Sequence, residues 1–356
     1  MARSANNIWL HRFACLTAVV TLVLVGIGGL VTSHEAGMSV PDWPTTYGYN
    51  MFFFPISKWV GGIFWEHSHR LAASATGFLT VILAVWLWVK ESRAGVRWLG
   101  VIAVFAVVLQ GVLGGLRVVL YKDQIGIFHA ALAQLFLVVV CALALFTSRW
   151  WRDIEVAFPR AIDRGGVRNL VLIATLFIFA QLIIGATMRH QHAGLSIPDF
   201  PLAYHKIWPP MDDASVAAYN AVRDETLAPK PITAFQIGLQ MVHRLLAGLI
   251  FCFVGFCAWA TRRQLGPRHP SSRLTLVWLG LIVTQVFLGA FTIWSNKAAD
   301  VATTHVVVGA LSLVTGALLT IISFRVLIPV RAAGLAVARP SPEDLAAANP
   351  ATSSAK

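Results

Sequence analysis

The amino-acid sequence predicts an all-α membrane protein of eight transmembrane helices, and three observations carry that reading. Of its 356 residues, 57% are hydrophobic and only 12% charged, giving a mean hydropathy of +0.70. The apolar residues gather into stretches near the roughly 20 residues that a spanning helix needs. The second half of the chain repeats motifs of the first. The stretches lie at 13–33, 66–89, 97–118, 125–147, 167–188, 236–259, 272–294 and 302–326. A soluble domain has no use for eight such runs with so few charges.

The first stretch follows a short N-terminal segment, 1–12. Its apolar core is longer than a signal peptide's and no small-residue cleavage site follows it, so it is expected to stay as the first span. The segment before it is too short for an organelle transit peptide, which points to a bacterial inner membrane. The net charge of +12 raises the question of nucleic acid. However, most of the Lys and Arg residues, among them Arg12, Lys90, Arg93, Arg97, Arg149, Arg152, Arg160, Arg262, Arg263 and Arg325, flank spans at alternate turns instead of forming one patch. That bias places both termini in the cytoplasm and excludes nucleic acid as a partner. Cys15, Cys141, Cys252 and Cys257 all fall inside spans, where no bridge between outer loops can form.

After the first span, residues 36–44 read AGMSVPDWP; 157 residues later, 193–201 read AGLSIPDFP. The second span carries His69-Arg70-Leu71, matched by His243-Arg244-Leu245 in the sixth. In the third, Gln110 and Gly114 correspond to Gln285 and Gly289 of the seventh, and in the fourth, His129 corresponds to His305 of the eighth. The chain thus divides into a four-span repeat over 13–150, a cytoplasmic linker over 151–166, and a second repeat over 167–326 whose long outer loop, 189–235, contains an insertion around 211–231. Residues 327–356 are expected to form a cytoplasmic tail, disordered from about Ala332. Four spans per repeat is an even number. Both repeats therefore enter from the same face, as two parallel-repeat four-helix bundles about a pseudo-twofold axis along the membrane normal.

This topology sets the depth of the histidines. His69, His129, His243 and His305 each lie about four residues, or roughly 6 Å, into a span that starts at the outer face. A lone intramembrane histidine is commonly a packing residue, but four that match by repeat and by depth point to ligation. Each repeat offers two imidazoles at one level, which suits a planar cofactor with an axial ligand on each side, and histidine is a standard axial ligand of haem iron. Arg70 and Arg244 follow a candidate ligand directly and could pair with haem propionates or anchor the helix end. Glu66, three residues before His69, has Gln240 as its counterpart. A carboxylate in one repeat only either marks that half for acid–base chemistry or pairs with Arg70 at i, i+4. His34, His190, His192, His205 and His269 fall outside the spans and are expected to be solvated.

IFWEHSHR (63–70), LQGVLGG (109–115), AGLSIPDFP, His243-Arg244 and TTHVVVGAL (303–311) together resemble the haem A synthase family over nearly all of 13–326. The resemblance implies oxidation of the C8 methyl group of haem o to a formyl group, giving haem a for terminal oxidases. It implies that the first half receives the substrate haem through His69 and His129 with Glu66 as the catalytic, proton-handling residue. The second half would hold a haem b cofactor through His243 and His305, passing electrons to an acceptor the sequence does not identify. The expected partners are a haem o synthase, that acceptor, membrane lipid and further copies of the chain. The chain lacks the outer-loop cysteine pair of some relatives and carries His67 where a tyrosine is commoner. A two-haem electron-transfer cytochrome would use the same four histidines without needing Glu66. A repeat-built transporter would place polar groups at the midplane on broken helices.

Overall fold

The computed structural model describes residues 7–223 and 231–329. Ten helices lie in this part of the chain: α1 (Ile8–Ser33), α2 (Gly61–Lys90), α3 (Ala94–Val119), α4 (Asp123–Thr147), α5 (Arg149–Ala157), α6 (Val167–His190), α7 (Asp213–Ala221), α8 (Ala234–Leu265), α9 (Pro270–Trp294) and α10 (Ala299–Val326). All but α5 and α7 are long and apolar enough to cross a membrane, which makes the chain a multi-pass membrane protein. These eight are 24 to 32 residues long, or about 36–48 Å at 1.5 Å per residue, against a hydrocarbon core of about 30 Å.

All of them except α6 begin two to five residues before the apolar stretches, and half end after them. Polar caps accompany three of these early starts, satisfying free N–H groups of the first turn, whereas α2, α3, α4 and α10 start without a side-chain cap. The Asn7 side chain accepts from the Trp9 and Leu10 amides. Thr233 and Gln236 form a reciprocal capping box that starts α8. His269 caps α9, whose first residue is Pro270. That role, with an edge-on contact to Phe158, leaves His269 half-buried and not solvated.

The spans pack in order. α1 lies against α2, α2 against α3, α3 against α4, and α4 returns to α1; α6, α8, α9 and α10 are neighbours in the same cyclic way. Between the sets, α1 packs on α10, α4 on α6 and α4 on α10. In lipid the drive for this packing is close contact and not expulsion of water. Gly100 sits over Ala84 and Leu87, and Gly316 over Thr175 and Trp278, both without room for a side chain. Trp278 is fully buried and donates its indole N–H to Ser312 O at 2.8 Å.

The linker and the tail depart from expectation. The segment at 151–166 is not a bare connection, since α5 reaches into it and Ala161–Asp163 forms strand β1, which pairs in parallel with β2 at Leu327–Pro329. The all-α description thus has one small exception, and β2 occupies the first three residues of the expected tail. The remaining tail and the segment at 224–230 of the long loop lie outside the described residues. Asp163 fixes the ribbon to α6 by accepting from the Val167 amide at 2.8 Å and the Arg168 amide at 3.3 Å. Gln264 of α8 donates to Ile162 O. Three-residue strands leave no periodicity for a sequence to display.

The two long loops share one end of the molecule. In the second, α7 occupies the place of the insertion and docks back on the loop. Its Asn220 side chain bonds both the N–H and the C=O of Ile232, and Tyr219 stacks on Tyr204 with centroids 3.6 Å apart.

Candidate functional site: two pairs of histidines

His69 lies eight residues into α2 and His129 six into α4; His243 lies nine into α8 and His305 six into α10. They are deeper along their helices than the sequence implied because these helices start two to five residues before the apolar stretches. The pattern repeats between the halves.

Each ring rests on a glycine of a neighbouring helix. A Cβ added at Gly28 of α1 would lie 3.1 Å from His69 Cε1, and one at Gly114 of α3 would lie 3.4 Å from His129 Cε1. The counterparts are Gly185 of α6, 3.4 Å from His243 Cε1, and Gly289 of α9, 3.5 Å from His305 Cε1. Gln110 and Gln285 donate to the backbone carbonyls of His129 (2.9 Å) and His305 (2.8 Å). Gln181 does the same for His243 at 2.9 Å, where the first half has Leu24.

The donor set fits an iron porphyrin. In all four residues Nδ1 is sealed without a hydrogen-bond partner, whereas Nε2 is not among the sealed atoms. Burying a polar nitrogen without a partner is costly. The rings of His243 and His305 have centroids 6.5 Å apart. Two imidazoles on opposite sides of one metal, each bonded at about 2.0–2.1 Å, would have centroids about 6.3 Å apart. His69 and His129 occupy the matching positions on the matching glycine seats. Among the described residues no group of three or more His, Cys, Asp or Glu could hold a bare metal ion. Each pair thus suits a metal that brings its other ligands with it.

Glu66 and Arg70 clasp the first loop. Glu66 Oε2 accepts from the Val40 amide at 2.9 Å and Oε1 from Arg70 Nη2 at 2.7 Å. Arg70 also donates to the carbonyls of Asp42 (2.7 Å), Thr45 (3.1 Å) and Val40 (2.9 Å). The second half reproduces the loop contacts without the ion pair. Gln240 Oε1 accepts from the Ile197 amide at 2.7 Å, and Arg244 donates to Leu202 O and Asp199 O. Asp42 and Asp199 each gather the amides of their own turn. Burial opposes the charge on Asp42, but the Gly48 amide, the Thr45 hydroxyl and the Tyr47 amide outweigh it and hold the carboxyl below the usual range. The structure therefore gives both arginines the task of holding loop carbonyls. His67 belongs to the same clasp: fully buried, it meets Thr46 Oγ1 at 3.3 Å and packs on Phe54 and Trp59.

The sequence left three nearby residues unassigned. Arg117, at the end of α3, pairs with Asp123 at 3.1 Å. His190, expected to be solvated, instead packs against Gly126 of α4, where a Cβ would overlap its ring, with Nδ1 3.9 Å from Asp123. Arg189 crosses between the halves to donate to Gly29 O and Ser33 Oγ of α1. Arg117 precedes a turn and Arg189 ends a span, so both look like ordinary helix-end anchors. Their partners lie on other elements and left no local signal.

Comparison with known proteins places this arrangement. The chain is similar to a haem A synthase of Halalkalibacterium halodurans, 30% identical over 219 residues, covering 59% of this chain and 70% of that one. It is also similar to one of Novosphingobium aromaticivorans, 26% identical over 345 residues, covering 86% and 93%, and to one of Geobacillus kaustophilus, 26% identical over 312 residues, covering 83% and 86%. Residues 11–317 match the family model described as cytochrome oxidase assembly protein, so the chain belongs to the COX15-CtaA family.

Proposed function

We propose that the chain is a haem A synthase, a membrane oxidoreductase that converts the C8 methyl group of haem o to the formyl group of haem a. Its relatives bear that name, and the observation that carries the reading here is the duplicated pair of glycine-seated imidazoles with unpartnered Nδ1 atoms. In this reading His69 and His129 receive the substrate haem, and His243 and His305 hold haem b. Haem b, when bound, supplies a redox centre that can take up electrons from the substrate side and pass them to an acceptor. The residues of the chain hold the ring planes level, exclude water beneath the clasped loops and fix the position of the methyl-bearing edge. Glu66 handles a proton or stabilises charge beside the first pair. A haem o synthase supplies the substrate, and copies of the chain associate in the membrane.

The reading places the loop end at the outer face of a bacterial inner membrane and both termini in the cytoplasm. The halves are related by a pseudo-twofold axis along the membrane normal. Two features support the axis: the neighbour pattern is unchanged when the sets are exchanged, and Glu35 lies 4.0 Å from its own counterpart, His192. A residue meets its equivalent only near such an axis.

A two-haem electron-transfer cytochrome would use the same four histidines but needs no carboxylate in one half. Gln240 makes the same loop contact as Glu66, so that contact does not account for the carboxylate at 66, which favours the synthase. A pyridine haemochrome spectrum with extraction of the pigments separates the two readings. Haem b together with haem o or haem a is expected of the synthase; haem b in both sites would favour the carrier, and a colourless protein would exclude both.

A further inference from the structure

We propose that Arg117 is the anion-binding residue of the first histidine pair and receives a propionate carboxylate of the substrate porphyrin. The inference rests on the haem A synthase reading and adds a residue to it. Arg70 and Arg244 follow the candidate ligands in sequence, but their guanidinium groups are committed to loop carbonyls in the same way in both halves. An interaction that recurs with the fold belongs to the fold. Arg117 has no such duplicate, for Thr292 stands at the matching position of α9.

Its placement suits a carboxylate at the ring edge. Arg117 lies three residues after Gly114, the seat of the His129 ring, and so projects from the same face of α3 one turn nearer the loop end. The loop backbone covers it from above, because a Cβ at Gly37 would overlap the guanidinium. Asp123 holds Nη2 at 3.1 Å, and His190 borders the same carboxylate. Nη1 of Arg117 makes no hydrogen bond among the described residues and is not among the sealed atoms, so it is the donor open to an incoming acceptor. A carboxylate is the acceptor whose geometry matches a guanidinium fork. Porphyrin propionates are the carboxylates that a ring held between His69 and His129 would bring to this depth.

The test is binding, independent of turnover. The purified full-length protein, with pigment in the second site, is titrated with haem o and with haem o dimethyl ester, following the Soret band. The wild type is expected to bind the diacid about 10- to 100-fold more tightly than the diester. Arg117→Gln should weaken diacid binding to the level of the diester and leave the diester unchanged; retention of the full preference would overturn the proposal. Second-site pigment reports folding of the variant. Should Arg117→Gln lose that pigment too, Asp123→Asn decides the matter. Removing a competing, repelling carboxylate should raise the diacid preference, and an unchanged or smaller preference would overturn the assignment. If the His69→Ala/His129→Ala double variant binds haem o as the wild type does, the first-site reading itself fails and the proposal falls with it.

Discussion

Four glycines decide where the imidazoles can sit. The histidines were visible in the sequence because an ionisable group inside an apolar run is conspicuous, whereas their seats were not, since each glycine touches its ring across two different helices. At Gly28 even a single Cβ would come to 3.1 Å from His69 Cε1, closer than an ordinary contact, so valine there carries an overpacking cost of about 1–3 kcal/mol. Gly28→Val is expected to weaken haem binding at the first pair and keep the second-site Soret band. Glu66 invites a sharper substitution, because the protein itself places glutamine at the equivalent position with the same loop contact. Glu66→Gln should therefore keep the Val40 contact, lose the ion pair with Arg70 while Arg70 stays on its three loop carbonyls, and bind haem while haem a formation falls at least tenfold, as expected for loss of a general acid–base group. A native rate, measured by pigment extraction, would remove Glu66 from the chemistry.

Among the helices, the eight spans were legible from hydropathy alone, and so were the ends of α1, α4, α9 and α10; the starts were less so, because seven of the eight begin two to five residues before the apolar stretch. The strand pair β1–β2 was hidden for a different reason: its partners are some 160 residues apart and too short to pattern. That ribbon ties α6, through Asp163, to the end of α10. Glu155 of α5 reinforces the tie by accepting from Arg325 of α10 at 2.9 Å, and Arg325 with Arg160 holds the Glu155 carboxyl below its ordinary value. Asp163→Ala removes the acceptor for two amides of the first turn of α6, at a cost of about 1 kcal/mol. It should lower the temperature at which pigment is released without altering the pigment spectrum at low temperature.

For the complete chain, the repeated motifs disclosed the duplicated plan, including the matched loops, the paired histidines and the insertion that α7 fills. They did not disclose how the halves meet, because the joining contacts, Arg189 to α1 and His190 to α4, involve residues with no counterpart of the same kind. The orientation is open to direct measurement. In a cysteine-free background, a single cysteine at exposed Glu35 or His192 should react with an impermeant maleimide added to intact cells. One at exposed Arg160 should react only after lysis, and the opposite pattern would invert the topology.

Helices α4 and α10 each carry one imidazole of a different pair, and they touch along a dry seam of Leu137, Ala310 and Val314. Packed helices stand about 8–10 Å apart. The two histidine pairs accordingly stand on either side of a party wall of protein; if both hold haem as proposed, charge moving from one to the other has no lipid to traverse and no mobile courier to await.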